Sequence, residues 1–352
     1  MEGDILFAVE GAVGRVTLNR PKALNALTHD MALRLDRRLA EWASDDTVSV
    51  VAVDAAGERA FCAGGDIRAL YRALLTPGDP LIADFYRDEY RLNHRIFTYP
   101  KPYVALIDGV VMGGGVGISV HGSHRVASEH ILFAMPETGI GLFPDVGGSW
   151  FLPRMPGEIG MYLGLTGARL KAADARYAGV ATHYVPRERH PLLLRTLAEM
   201  SYGDDAYGAV GAVLARFDED PGSPPLAAHR DAIDRCFSED SVEDILAALA
   251  AAGGDWAQTT MAALADKSPT SLKVAFRQLR EGAALDDFAQ AMRMEYRLSQ
   301  RFCAGHDFRE GVRAVVIDKD NAPQWRPDRL DRVSVATVDA YFAPLGDDDL
   351  VL

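Results

Sequence analysis

Short apolar β runs alternate with helical stretches through the first half of the chain, and this rhythm limits the fold more than any other feature. "ILFAVEG" and "VGRVTLN", between Ile5 and Asn19, are joined by glycine-containing turn chemistry and read as a hairpin. "THDMALRLDRRLAEWASDD" then sets Met31, Leu35, Leu39 and Trp42 at helical spacing behind a Thr28 cap, and the buried strand "VSVVAVDA" follows. The pattern recurs: "YVALIDGVV" reads as a strand, "GGGVGISVHGS" as a glycine-opened helix and "HRVASEHILFAMP" as two short strands. Repeated ββα units predict an α/β architecture.

After about residue 185 the rhythm gives way to Ala- and Leu-rich segments such as "PLLLRTLAEMSY", "SVEDILAALAAAG" and "LDDFAQAMRMEYRLSQRFC", which predict helices. The expected division is a core over residues 1–200 and a helical C-terminal region over 201–352 that packs on it. "FDEDPGSPPLAAHR" has the composition of a connecting loop, and "APLGDDDLVL" is expected to fray. No apolar run approaches the roughly 20 residues that cross a bilayer, so no membrane partner is expected. The opening residues show neither a secretory signal nor a transit peptide, which makes a cytoplasmic location the default. A net charge of -13 argues against a nucleic-acid partner. Cys62, Cys236 and Cys303 are too scattered for a disulfide framework or a metal cluster and are read as reduced thiols.

Two glycine stretches follow strands and open helices: "FCAGGDIR", Phe61 to Arg68, and "GVVMGGGVGISVHG", Gly109 to Gly122. The first amides of a helix have no partner within it. Two such turns can each aim one N–H at a single carbonyl oxygen, the requirement for stabilising an oxyanion. A dinucleotide fingerprint fails on glycine spacing and lacks an acid at the ribose-binding distance. A third stretch, "MPETGIGLFPDVGG", places Glu137 and Asp145 among apolar residues, glycines and prolines, where the default for either acid is a solvated loop charge.

In this order and spacing, the three stretches resemble the crotonase (enoyl-CoA hydratase/isomerase) superfamily and, within it, the branch that hydrolyses 3-hydroxyisobutyryl-CoA. The likeness continues through "KPYVALIDG", "LTGARLKAADARYAGVATHYV", "EYRLSQRF", "GHDFREGVRAVVIDKD" and "PQWRP" to cover nearly the whole chain. It implies a spiral of ββα units followed by C-terminal helices. It also implies oxyanion amides at Gly65 and Gly114, and CoA running past Ala63, Asp66, Ile67 and the Lys22, Ala23, Leu24 stretch. For Arg20, Lys22 and Lys273, a phosphate contact and a solvated charge are both open.

Hydratases of this superfamily carry one glutamate on the helix after the triple glycine and a second in the "PE" motif. Here the first position is Gly117 and only Glu137 remains, so hydration between two glutamates loses a member. Asp145 stands where a hydratase typically has glycine and matches the hydrolase pattern, as does Glu89, an acid assigned there to substrate binding. A thioester hydrolase needs an oxyanion hole and an oxygen nucleophile, because its thiol, with a pKa near roughly 8.5, leaves as thiolate unaided. The resemblance thus implies Glu137 as nucleophile or base, Asp145 orienting water or the 3-hydroxyl, an acyl-CoA substrate in valine catabolism and no cofactor apart from the CoA of the substrate. A homo-oligomer is compatible with the sequence. His121 and His124 are read as packing or solvent-facing, no Ser-His-acid elbow is present and a metal is unsupported. The alternatives are an enoyl-CoA hydratase/isomerase and a non-catalytic acyl-CoA-binding protein.

Overall fold

After the opening hairpin, the strand pairs of the first half are split between two sheets. In the computed structural model, which describes residues 3–352, β1 (Ile5–Glu10) and β2 (Val13–Leu18) form the expected antiparallel hairpin with Phe7 opposite Val16. The sheet continues in parallel through β3 (Val50–Ala55), β5 (Tyr103–Ile107), β7 (His124–Ala127) and β9 (His183–Tyr184). The intervening strands β4 (Ala60–Cys62), β6 (Val110–Met112) and β8 (Leu132–Ala134) make a separate three-stranded sheet. The pairs β3/β4, β5/β6 and β7/β8 therefore each give their first strand to one sheet and their second to the other, as the spiral requires.

"YVALIDGVV" is not one strand but two, β5 and β6. Gly109 breaks it, with φ at +82° and the Arg59 carbonyl oxygen only 2.6 Å from where a Cβ would stand. Glycine alone tolerates both conditions, so the chain turns there from one sheet to the other.

Contacts group the chain into two units. One comprises the segments up to Gly65, Arg91–Phe133 and Leu170–Pro225, and the other Asp66–Tyr90, Ala134–Arg169 and Leu226–Leu352. The boundary at residue 200 follows composition, whereas the compact units interleave along the chain. In the first, alternate strand residues Val13, Val50, Ala52, Val104, Leu106 and Val126 point to one sheet face. There they pack with Leu193, Leu197, Val210 and Leu214 of helices His190–Glu199 and Ala206–Phe217. Helix His29–Ala43 begins where predicted: the Thr28 side chain accepts from the Met31 amide at 3.2 Å, and Met31, Leu35, Leu39 and Trp42 are its buried stripe.

In the second unit, helices Pro269–Ala283 and Phe288–Ala304 contribute Val274, Leu298 and Phe302 to a core shared with Leu142, Phe143 and Phe308. Phe143 stacks on Phe302 with ring centres 5.5 Å apart, which anchors the "GLFPDVGG" segment by its apolar side. The C-terminal segment does not fray. Arg297 pairs with Asp349 at 2.6 Å and Leu350 is buried, so the last residues are tied down by charge and by apolar contact. No helix among the described residues is long and apolar enough to cross a membrane.

Candidate active site

Five carboxyl side chains lie buried in the second unit: Asp307, whose oxygens accept from the Ser268 hydroxyl and the Arg326 amide, and Glu89 (2% exposed), Glu137 (4%), Asp145 (5%) and Glu295 (0%). Such burial rejects the solvated-charge default for Glu137 and Asp145, and Glu89 is equally enclosed, since acids are almost never this buried without partners or function. Glu137 opens the short 3-10 turn Glu137–Ile140, and Glu89 sits on the inner stripe of helix Leu81–Phe97 with Tyr86 and Tyr90. The Tyr90 hydroxyl donates to Asp145 Oδ2 at 3.2 Å. Among the described residues, Glu89 Oε1 and Glu137 Oε2 have no hydrogen-bond partner, which leaves a buried acceptor oxygen unused on each.

Burial pushes both Glu89 and Glu137 well above the usual carboxylate range, and the charges of Asp145 and Glu295 push the same way. Asp145 rises to about 7, again through burial, against the Tyr90 hydrogen bond that favours its ionised form. Glu295 rises to about 8 for the same reason, although it accepts from the Gly147 amide at 2.7 Å, the Ser149 amide at 2.9 Å and the Ser149 hydroxyl. Like charges in one enclosed region cannot all ionise at neutral pH, so the group titrates as a set. A carboxylate poised near neutral pH is a more effective base than a solvated one.

Between Asp145 and Gly147, Val146 is fully buried with φ at +50°. A β-branched residue in the left-handed region costs about 1–3 kcal/mol and marks a turn held by its surroundings. The sequence gives no sign of it.

In the first unit, the two glycine turns meet. Gly64 lies against the Met112 carbonyl, and a Cβ on it would be 4.0 Å from the Gly114 amide nitrogen. Gly65 forms a bridge with Leu27, the Leu27 amide donates to the Gly64 carbonyl at 2.8 Å, and the Ala63 amide donates to Leu24 at 3.0 Å. The two segments expected to border CoA are thus laced together by backbone. Gly114 begins helix Gly114–Gly117, far shorter than the sequence suggested. Among the described residues, neither the Gly65 nor the Gly114 N–H donates to a protein acceptor, which leaves both available. Gly115 is required by packing, because a Cβ there would fall 2.2 Å from the Cys62 carbonyl oxygen.

The other expected residues divide. Lys22 and Ala23 are exposed, and Lys22 lines a cavity of about 350 Å³ with Asn25 and Arg59. Asp66 caps helix Ile67–Leu74 by accepting from the Ala69 amide, which gives it a structural role in its own right. Arg20 pairs with Asp4 at 3.3 Å and Lys273 with Glu243 at 2.6 Å. His121 is buried edge-on to Phe97; His124, beside His183, is pushed down to about 4 by burial.

An enoyl-CoA hydratase/isomerase family model matches residues 13–342. The chain belongs to the enoyl-CoA hydratase/isomerase family. Among its relatives are proteins named 3-hydroxyisobutyryl-CoA hydrolase, mitochondrial: that of Xenopus tropicalis is 48% identical over 100% of this chain and 91% of that protein. The Danio rerio protein is 49% identical (99% and 92% covered) and the Homo sapiens protein 44% (99% and 90%). Two solved structures are similar throughout. A carnitinyl-CoA dehydratase of Mycobacterium thermoresistibile is 44% identical with a TM-score of 0.92, covering 99% of each chain. An enoyl-CoA hydratase of Rhodobacter sphaeroides is 40% identical with a TM-score of 0.91, covering 99% of this chain and 100% of that one.

Those names correct one expectation. The hydrolase relatives are named mitochondrial, which overturns the cytoplasmic location. A targeting leader is read apart from the fold, so the character of the opening residues was a weak basis for a compartment.

The folded chain also shows what the sequence reading missed. Glu295 and Tyr90 were both overlooked. A signal existed for Glu295: it falls between Ala291 and Leu298 on the buried stripe of its helix, where an acid breaks the apolar pattern. Tyr90 shares the inner stripe with Glu89 in the same way.

Proposed function

We propose that this chain hydrolyses 3-hydroxyisobutyryl-CoA to 3-hydroxyisobutyrate and CoA in valine catabolism. The observation that carries the reading is the pairing of full-length identity to the 3-hydroxyisobutyryl-CoA hydrolases with a buried Glu137 and Asp145 in one carboxyl cluster. Gly117 favours hydrolysis over hydration, since it has no group to hold or move a proton at the position where hydratases carry a second glutamate. The hydratase and dehydratase names of the two solved structures describe those proteins, and the fold alone does not select the reaction.

In this reading the Gly65 and Gly114 amides receive the thioester oxygen as it becomes an oxyanion. Ala63, Asp66, Ile67 and the Lys22–Leu24 stretch border CoA, and the unpartnered oxygen of Glu89 accepts from the acyl group. Glu137, in its ionised form, either takes a proton from water that attacks the carbonyl carbon or attacks that carbon itself. The first course breaks the C–S bond to give acid and CoA thiolate. The second expels the thiolate to leave a mixed anhydride, which water then cleaves. Asp145 orients the water or the 3-hydroxyl. Single turnover in ¹⁸O-water separates the courses, because only the anhydride route can leave label on Glu137.

Glu137→Gln keeps the shape of the side chain but removes its charge, and is expected to abolish thiol release while CoA binding persists. Near-normal thiol release from this variant would refute the assignment.

A further inference from the structure

We infer that Glu295 is a positioning residue for the hydrolysis: it grips the turn that follows Asp145 and so keeps that carboxylate in working orientation. The inference rests on the reading that Asp145 takes part in the reaction. Three observations support it. Glu295 is fully buried, and both of its oxygens are used on one short segment: Oε2 accepts from the Gly147 amide at 2.7 Å, while Oε1 accepts from the Ser149 amide at 2.9 Å and from the Ser149 hydroxyl. The residue immediately before this grip, between it and Asp145, is Val146, which holds φ at +50°, a conformation it leaves unless something restrains it. On the same helix, Phe302 stands seven residues on, two turns along the same face, and stacks on Phe143 on the other side of Asp145. One helix thus fixes the Asp145 segment at both ends, by apolar contact before it and by a carboxylate after it.

Isosteric replacement should break the grip. In its ionised form the carboxylate meets two backbone N–H donors with two acceptor oxygens, whereas an amide must always turn its own NH₂ towards one of them. Donor then faces donor, and the restraint that the grip places on the turn at Val146 weakens. Glycine at 146 adopts the left-handed conformation without restraint, so it should hold the turn even when the grip is lost.

The test uses the full-length chain as wild type, Glu295→Gln, Glu295→Gln combined with Val146→Gly, Ser149→Ala and Asp145→Asn. Folding is established by near-ultraviolet circular dichroism, and thiol release from 3-hydroxyisobutyryl-CoA gives kcat and KM. Glu295→Gln is expected to lower kcat at least about tenfold with KM changed less than about threefold. Adding Val146→Gly should recover several-fold of that loss despite a lower melting temperature, and Ser149→Ala should show a smaller loss of the same kind. A glutamate that merely stabilises the fold would lower the melting temperature and leave kcat of the folded enzyme alone. Folded Glu295→Gln with wild-type kcat, beside an impaired Asp145→Asn, overturns the proposal. Wild-type turnover by Asp145→Asn overturns instead the reading on which it rests, and the proposal with it. Should Glu295→Gln fail to fold, Ser149→Ala decides, and an unchanged kcat in that variant overturns the proposal.

Discussion

The Tyr90 hydroxyl donates to Asp145 Oδ2 at 3.2 Å, and both side chains are buried. This hydrogen bond favours the ionised form of an acid that burial otherwise drives towards protonation. Tyr90→Phe removes it without opening a large cavity. The expected result is a roughly tenfold loss of kcat, the cost of one hydrogen bond to a charged group, with the acid limb of the pH profile moved to higher pH. A profile identical to wild type would show that Asp145 is not oriented by Tyr90.

The pH dependence of turnover follows from the same cluster. Asp145 is held at about 7 and Glu137 is raised well above its ordinary range, both chiefly by burial. Thiol release should therefore rise with pH along a limb centred near pH 7 rather than near pH 4. Initial rates of thiol release between pH 5 and pH 9 check this, and a limb at the ordinary carboxylate value contradicts it.

Stability should run the other way. Asp145 and Glu295 titrate at about 7 and about 8 in the fold, against 3.8 and 4.5 as ordinary values. The folded state then holds protons that the unfolded chain has released, so their contribution is fully present below about pH 4 and is lost as pH rises through 7 to 8. Asp145→Asn cannot ionise, and should melt higher than wild type at pH 8 with the gap closing towards pH 4. Parallel thermal melts at the two pH values measure this gap, and a gap that widens on acidification would reverse the sign of the account.

Gly115→Ala tests the glycine turn by geometry. Its Cβ would fall 2.2 Å from the Cys62 carbonyl oxygen and 2.8 Å from the Cys62 Cβ, so the start of the short helix must move and the Gly114 amide with it. A misplaced oxyanion donor costs on the order of 3 kcal/mol, which predicts about a 10²-fold loss of kcat in the folded variant. Wild-type turnover would remove Gly114 from any role at the oxyanion.

Period and punctuation made much of the fold legible. Thr28, Met31, Leu35 and Leu39 announced their helix, and the ββα rhythm carried the α/β class. Two errors came from reading locally. "YVALIDGVV" looks like one strand because the clash that breaks it involves Arg59, some fifty residues earlier in the chain. "APLGDDDLVL" looks loose because its partner, Arg297, is equally distant in sequence. At the site, Glu137 and Asp145 were visible through motif resemblance. That Glu89 is enclosed, that Tyr90 donates to Asp145 and that Glu295 grips the next turn depend on which helix faces which loop, and only the folded chain supplies that.

The most direct test of the central claim follows two reactions with one enzyme preparation. Thiol release is measured from 3-hydroxyisobutyryl-CoA, and loss of the conjugated double bond is measured with crotonyl-CoA, each in wild type and in Glu137→Gln. The account predicts rapid thiol release from the hydroxyacyl thioester, hydration of crotonyl-CoA slower by several orders of magnitude, and loss of the first activity in the variant. Efficient hydration of crotonyl-CoA by the wild type, with no thiol released from 3-hydroxyisobutyryl-CoA, would contradict it.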